Sequence, residues 1–200
     1  SSDLQMEGLG LRIIPVKTPS NPSLQIFGSG RADAEAIYEN VMTKWRWGNF
    51  DKVDTYISPS YSAGINAMKM AMYRGADEFL RKEDTKKALD LANKYFEAFP
   101  DFNFPYDYSV LPFIDVLLEG KDLEGAKKHM KILADACVED MEFYYSLDNK
   151  DISSFENQVR ITQAGIEGLI RELEKVEDEA FVNEMMALLG KYQTENLPTE

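Results

Sequence analysis

Few side chains in this sequence could carry out covalent or acid–base chemistry. His129 and Cys137 are the single histidine and the single cysteine of 200 residues, and neither belongs to a motif typical of a nucleophile or a zinc site. His129 lies beside an apolar stripe, which predicts a surface or boundary residue. Cys137 lies within the stripe, which predicts a buried, inert thiol. The sequence therefore predicts no catalytic residue, no metal site and no cofactor, but it leaves open a carboxylate pair in a glycan-active enzyme.

Two strings rich in aromatic residues are the strongest candidates for a binding surface. The first runs from Trp45 to Asp51 and the second from Asp101 to Tyr108. Rings beside an arginine could form a platform for a sugar or an acidic peptide, but the same rings could fill the corner between two helices. The second string could likewise line a groove or pack against the helices that precede it. The candidate binding residues are Trp45, Arg46, Trp47, Tyr106, Asp107 and Tyr108.

The segment between the two strings predicts two helices folded against each other. Apolar residues recur at helical spacing, first at Ile65, Met68, Met72, Ala76 and Phe79 and then at Ala88, Leu91, Ala92, Tyr95 and Phe99. Asp84 or Thr85 could cap the second helix, and Pro100 ends it. The small residues among them would let the two helix backbones approach closely.

This alternation of small and large residues resembles the tetratricopeptide repeat. The matching positions are Ala76, Phe79, Ala88 and Pro100. Met72 and Gly75 stand where that repeat usually has tryptophan and leucine, so the match is partial. The resemblance implies an architecture of stacked helix pairs and implies no chemistry.

The rest of the chain extends this pattern on both sides. Residues 1–32 predict an extended lead-in and a loop, because Leu9–Val16 is β-branched and Gly and Pro follow it. A helix should begin at Asp33 or Ala34, and a short one should run from Asp51 to Ile57. Further helices should follow Pro112, Asp122, Asp148 and Asp178. We therefore predict an all-α, tetratricopeptide-like fold of about seven or eight helices over residues 33–195, ending in a frayed tail at 196–200.

The distribution of charge excludes some partners. The formal net charge is −13, and residues 134–200 carry 16 acidic side chains against 5 basic ones. Such a field repels nucleic acid and anionic lipid, so we expect neither as a partner. The four-and-three spacing of apolar residues between Phe155 and Val176 is typical of a packing seam. Because the preceding helix has a matching seam, we expect the two to pack within one chain and the domain to be a monomer.

Three strings resemble the soluble C-terminal region of a bacterial family of polytopic membrane proteins of unknown function. They are Ile37–Lys52, Phe104–Pro112 and Tyr144–Asp148, and Gly8–Pro15 resembles the segment that follows the membrane region of that family. The membrane part of the family is similar to protein O-mannosyltransferases. The resemblance implies that the chain is the extracytoplasmic, periplasmic tail of a longer inner-membrane protein. It implies no catalytic residue within these 200 positions.

The expected function is that of a non-catalytic interaction or scaffold domain. Stacked helix pairs form curved surfaces that commonly bind extended segments. The partner would be a polypeptide, a glycan or the membrane part of the same protein. The alternatives are a purely structural cap, favoured if Trp45, Trp47, Tyr106 and Tyr108 are all buried, and the carboxylate-pair enzyme named above.

Overall fold

The computed structural model describes residues 2–19, 21 and 28–192, and most of these residues are helical. The prediction of a mainly helical chain is therefore confirmed. The chain divides into two compact units, Ser1–Phe104 and Pro105–Glu200. Their boundary lies inside the segment 33–195, whose assignment to one repeat domain stays a prediction. The predicted tail at 196–200 and part of the predicted loop, 22–27, lie outside the described residues.

A small sheet begins the first unit. Strands β1 (Ser2–Met6) and β2 (Leu11–Thr18) are antiparallel, β3 (Arg31–Ala32) runs parallel to β1, and the order is β2-β1-β3. The lead-in is extended, as the sequence predicted. Its pairing into a sheet was not predicted, because β1 and β3 are too short to give a period of two. Strand β2 forms an exposed edge that contains Pro15, a residue tolerated where no partner strand needs a donor.

The first helix follows strand β3 directly and continues into a π-helical turn. Helix α1 (Ala34–Glu39) begins where the sequence predicted, and Asp33 caps it by accepting a hydrogen bond from the Ala36 amide at 3.1 Å. A π-helical turn, Asn40–Lys44, continues α1. Ile37 and Val41 are buried on the inner face, and α1 packs against the next helix.

The predicted helix pair is present as α2 (Ser62–Arg81) and α3 (Thr85–Ala98), and it forms the core of the first unit. Asp84 caps α3 through the Lys87 amide. Ala76, Ala88 and Ala92 are fully buried, so the small residues do lie where the helices meet. Gly75 is more constrained still, because a Cβ at this position would lie 2.8 Å from Ile37 Cγ2 and 3.0 Å from Leu91 Cδ1.

The connection between α1 and α2 corrects one prediction. We expected a short helix from Asp51 to Ile57, but this stretch consists of turns and irregular backbone. Gly48 and Asn49 both adopt positive φ angles, 61° and 66°, which turns the chain at this point. Because the helix has already ended at Lys44, the left-handed Gly48 turns the loop and does not terminate the helix.

The second unit contains the remaining helices. They are α4 (Leu111–Glu119), α5 (Leu123–Tyr145), α6 (Asn149–Ile152), α7 (Glu156–Leu173) and α8 (Glu179–Leu189). Asp122 and Asp178 cap α5 and α8, and Pro112 lies in the first turn of α4. Helix α7 packs on α5, where a Cβ on Gly165 would lie 3.1 Å from Cys137 Sγ. None of the described helices has the length and apolar character needed to span a membrane.

Gly75 and Gly64 allow a matched test of packing within α2. A Cβ on Gly64 meets no atom within 4 Å, whereas one on Gly75 overlaps two buried side chains. We expect Gly64→Ala to raise the free energy of unfolding by about 0.5–1 kcal/mol, since alanine is the better helix former. Gly75→Ala should lower it by about 1–2 kcal/mol, because overpacking outweighs that gain. Urea denaturation measures both, and equal stabilisation by the two variants would contradict the close approach.

Candidate binding site

An aromatic pocket of about 270 Å³ lies in the first unit. Its rings, which define the aromatic pocket, are Trp47, Phe50, Tyr61, Phe99 and Phe104. Gly64, Ile65 and Met68 of α2 complete one wall, and Arg46 lies at the edge. Phe99 is buried at the end of α3, while Trp47, Phe50 and Phe104 are half-buried and Tyr61 is 57% exposed. The pocket is therefore an open, mainly apolar depression.

The rings hold one another through three edge-to-face contacts and one tilted contact. Trp47 and Phe99 have centroids 5.7 Å apart at 77°, and Phe99 and Phe104 have centroids 5.0 Å apart at 83°. Phe50 lies 6.4 Å from Phe104 and 6.4 Å from Tyr61. Each contact of this kind contributes about 0.5–1.5 kcal/mol beyond burial. The five rings thus form one continuous chain whose faces are only partly covered.

Asn103 fixes the loop that carries Phe50. Its Nδ2 donates to the carbonyl oxygens of Phe50 and Val53, each at 2.7 Å, and its Oδ1 accepts from the Thr55 amide at 3.0 Å. One side chain therefore satisfies three backbone groups of a segment without regular secondary structure. This bonding holds Phe50 opposite Phe104 and keeps the loop from collapsing into the depression.

Arg46 closes the end of the π-helical turn. Its Nη1 donates to the carbonyl oxygens of Thr43, Lys44 and Trp45 at 2.9–3.1 Å, which are terminal carbonyls that the helix cannot satisfy itself. The residue is exposed and lines the pocket. Its charge is therefore held at the pocket edge by backbone bonds.

Two lysines lie over rings of the same cluster. Lys69 Nζ lies 5.5 Å from the Phe99 centroid and 5.8 Å from that of Phe104, and Lys94 Nζ lies 6.0 Å from the Trp47 centroid. Lys94 also pairs with Glu97 at 3.0 Å. The chain's own ammonium groups thus take up the attraction that these rings offer to a cation.

The predicted residues of the first aromatic string lie at two different sites on the surface. Arg46 and Trp47 line the aromatic pocket. Trp45 contacts Trp47 at a centroid distance of 5.8 Å, but it lines a different groove beside Glu7 and Leu9. Both tryptophans are half-buried, which combines the two interpretations of the sequence: the rings fill a corner, and part of their surface remains accessible.

The predicted residues of the second string belong to the second unit and have other roles. Tyr106 is buried, and its hydroxyl is 2.9 Å from His129 Nδ1. The prediction that His129 is a surface or boundary residue is therefore wrong, because Tyr106 extends the apolar face around it to leave it 7% exposed. Asp107 caps the turn that begins at Tyr108 by accepting from the Ser109 amide at 2.8 Å. Tyr108 is 49% exposed.

Several residues of the pocket were not predicted as site residues. Tyr61, Phe99 and Phe104 each follow a helical or loop pattern that is explained by packing alone. Asn103 was also missed, although it is the one amide in the string Asp101–Tyr108. That isolated amide was the available signal, since an asparagine among aromatic residues needs backbone partners.

Other side chains that could take part in chemistry are either protonated and buried or ion-paired. Burial raises the pKa of the Cys137 thiol to about 12, so this side chain stays protonated at neutral pH, as predicted. Asp115 Oδ1 and Glu172 Oε2 lie 2.6 Å and 2.7 Å from Lys175 Nζ, although the Glu172 contact is not aligned as a hydrogen bond. Burial raises the pKa of Glu172. Within the described residues, no group of three His, Cys, Asp or Glu side chains could hold a metal ion.

Comparisons with protein-family models, with curated proteins and with solved structures found no match to this chain.

Removing the donor group of Asn103 should loosen the pocket loop. In Asn103→Asp, the carboxylate would face the Phe50 and Val53 carbonyls, with a local cost of about 1–3 kcal/mol. We expect faster amide hydrogen exchange in residues 50–57 and unchanged exchange in α2 and α3. Asn66→Asp, at an exposed position of α2, is the control for added charge. Equal exchange in the two variants would contradict the role assigned to Asn103.

His129 should make folding sensitive to mild acid. Burial, with a smaller effect of Lys128, lowers its pKa from 6.5 to about 4. Between pH 6.5 and pH 4, His129 is protonated in the unfolded chain and neutral in the folded chain. The free energy of unfolding should therefore fall by about 2 kcal/mol between pH 7 and pH 5.

The carboxylates also titrate near this range, so the difference from His129→Gln is the quantity to measure. Glutamine does not titrate here and can still bond the Tyr106 hydroxyl. Urea unfolding at several pH values should show a shallower decline in the variant. Parallel curves would show that the histidine does not titrate as its burial requires.

Proposed function

We propose that this chain is a non-catalytic interaction domain whose aromatic pocket binds an apolar side chain of a polypeptide partner. The observation that carries this proposal is the partly open cluster of five rings around a depression of about 270 Å³. That volume is at the lower limit for small-molecule sites, and it suits one or two large side chains. The pocket resembles an anchor site more than a site that encloses a whole ligand.

The composition of the wall favours an apolar side chain over a sugar. Sugar recognition combines a ring face with several hydrogen-bonding side chains. Here Arg46, the Trp47 indole and the Tyr61 hydroxyl are the polar side-chain groups of the lining, and Arg46 Nη1 is already bonded to backbone carbonyls. The remaining wall is hydrocarbon, so burial of apolar area would supply most of the binding energy.

The proposal includes the finer fold and context. We assign the α2–α3 hairpin to a tetratricopeptide-like repeat, supported by the buried positions Ala76, Phe79 and Ala88. We further propose that the chain is the extracytoplasmic tail of a membrane protein similar to O-mannosyltransferases. This context rests on the sequence strings alone.

The two alternatives receive less support. A structural cap without a ligand would bury all its conspicuous rings, yet Trp45 and Trp47 are half-buried and Tyr108 is exposed. A glycan-active enzyme would need two carboxylates across a cleft wide enough for a substrate. Asp115 and Glu172, a pair that includes a partly buried carboxyl, are bridged by Lys175.

Filling the pocket at Gly64 tests the proposal. Gly64 lines the pocket, and its Cβ position is open, so Gly64→Leu should occlude the depression without lowering the melting temperature. The probe is N-acetyl-phenylalanine amide, for which we expect saturable amide chemical-shift changes and a Kd of about 1 mM from its size. In Gly64→Leu, the affinity should fall at least tenfold.

Two controls make the result specific. Ala63→Leu adds the same side chain on the same helix at an exposed position outside the pocket lining, and it should bind like the parent chain. Glucose and N-acetylglucosamine are the matched sugar probes. Equal binding by the Gly64 variant, or saturable binding of a sugar at this pocket with none of the phenylalanine probe, would overturn the proposal.

A further inference from the structure

Arg46 provides a charge at the pocket edge that no carboxylate of the described chain neutralises. Its hydrogen bonds all run from Nη1 to neutral carbonyl oxygens. Two other arginines of the first unit have a carboxylate partner: Arg12 pairs with Glu7 at 2.9 Å, and Arg81 pairs with Asp77 at 2.6 Å. The lining of the aromatic pocket contains no Asp or Glu. A guanidinium beside an apolar depression, without an acidic neighbour, is therefore a place where a ligand carboxylate can pair.

We propose that the partner is an acidic polypeptide segment in which the apolar anchor residue stands beside an Asp or Glu that pairs with Arg46. This inference rests on the proposed function, since it needs the anchor to occupy the aromatic pocket. The anchor supplies the buried area, and the neighbouring carboxylate reaches the guanidinium at the edge. Arginine suits this role because its planar fork can bond backbone carbonyls on one side and a carboxylate on another.

The lysines near the pocket disfavour a basic partner. Lys69 and Lys94 lie 5.5–6.0 Å from ring centroids of the cluster, so a basic peptide would meet like charges and ring faces already in contact with ammonium groups. A quaternary ammonium ligand, which aromatic clusters often bind, is disfavoured for the same reason. These contacts thus disfavour a cationic ligand, and the pairing of an anionic neighbour rests on Arg46.

The net charge of the chain makes this proposal unusual and easy to test. A chain with a formal charge of −13 should attract basic peptides and repel acidic ones if long-range electrostatics decided binding. A preference for an acidic peptide would therefore reflect close pairing with Arg46 and not the long-range effect of the net charge. Salt screens the long-range repulsion more than the close pairing with Arg46, so the preference should be clearest near 0.15 M salt.

The experiment compares three fluorescein-labelled peptides by anisotropy. They share a central Phe between two residues that are Asp in the acidic peptide, Asn in the neutral one and Lys in the basic one. We expect the acidic peptide to bind 5–10 times more tightly than the neutral one, and the basic peptide to bind more weakly than either. In Arg46→Gln, the affinity for the acidic peptide should fall to that for the neutral one. Arg46→Lys should keep part of the preference for the acidic peptide.

Binding of the neutral peptide reports whether the pocket stays intact when Arg46 is changed, because Arg46 also bonds three carbonyls. Lys52→Gln is the matched control, since Lys52 is exposed in the same loop and lies outside the pocket lining. Equal affinities for acidic and neutral peptides, or an equal effect of Lys52→Gln, would overturn the inference and leave the proposed function standing. If none of the peptides binds, both fail.

Discussion

The first unit depends on the close approach of α2 to its two neighbouring helices. Gly75 has Ile37 of α1 on one side and Leu91 of α3 on the other, both so near that a methyl group does not fit. Ala88 and Ala92 on α3 are fully buried and extend the same short-range packing. Because protein interiors are close-packed, this contact fixes the positions of all three helices at once. The side chain of Ile37 fills the space beside Gly75.

The aromatic pocket follows from how the three helices end. Helix α3 stops at Ala98 and presents Phe99 at its end, while the chain leaves α1 through a π-helical turn and two left-handed residues, Gly48 and Asn49. The returning loop is then bonded to Asn103 and not to helical backbone. The depression is thus the space left between a rigid helix pair and a tethered loop.

The sequence predicted the helices well because their signals are local. The caps Asp33, Asp84 and Asp122 and the apolar spacing of α2, α3 and α5 depend only on residues within a few turns. The failures depend on distant contacts. Residues 51–57 were predicted as a short helix, but Asn103 bonds their backbone into an irregular loop. His129 was placed at the surface because Tyr106, 23 residues earlier, is outside any local pattern.

The candidate site was predicted in part for the same reason. Arg46 and Trp47 were recognised by their unusual residue types, whereas the helix residues that complete the pocket have ordinary core-like spacing. Exposure is what the spacing does not reveal: Phe99 is buried, but Tyr61 and the half-buried Trp47 and Phe50 keep surface that packing does not use. Apolar surface left open beside a cation bonded only to carbonyl oxygens is an arrangement in which burial and charge act on one ligand together. Neither the ring pattern nor the net charge of the chain contains that information, because it depends on which carboxylates lie near Arg46 in three dimensions.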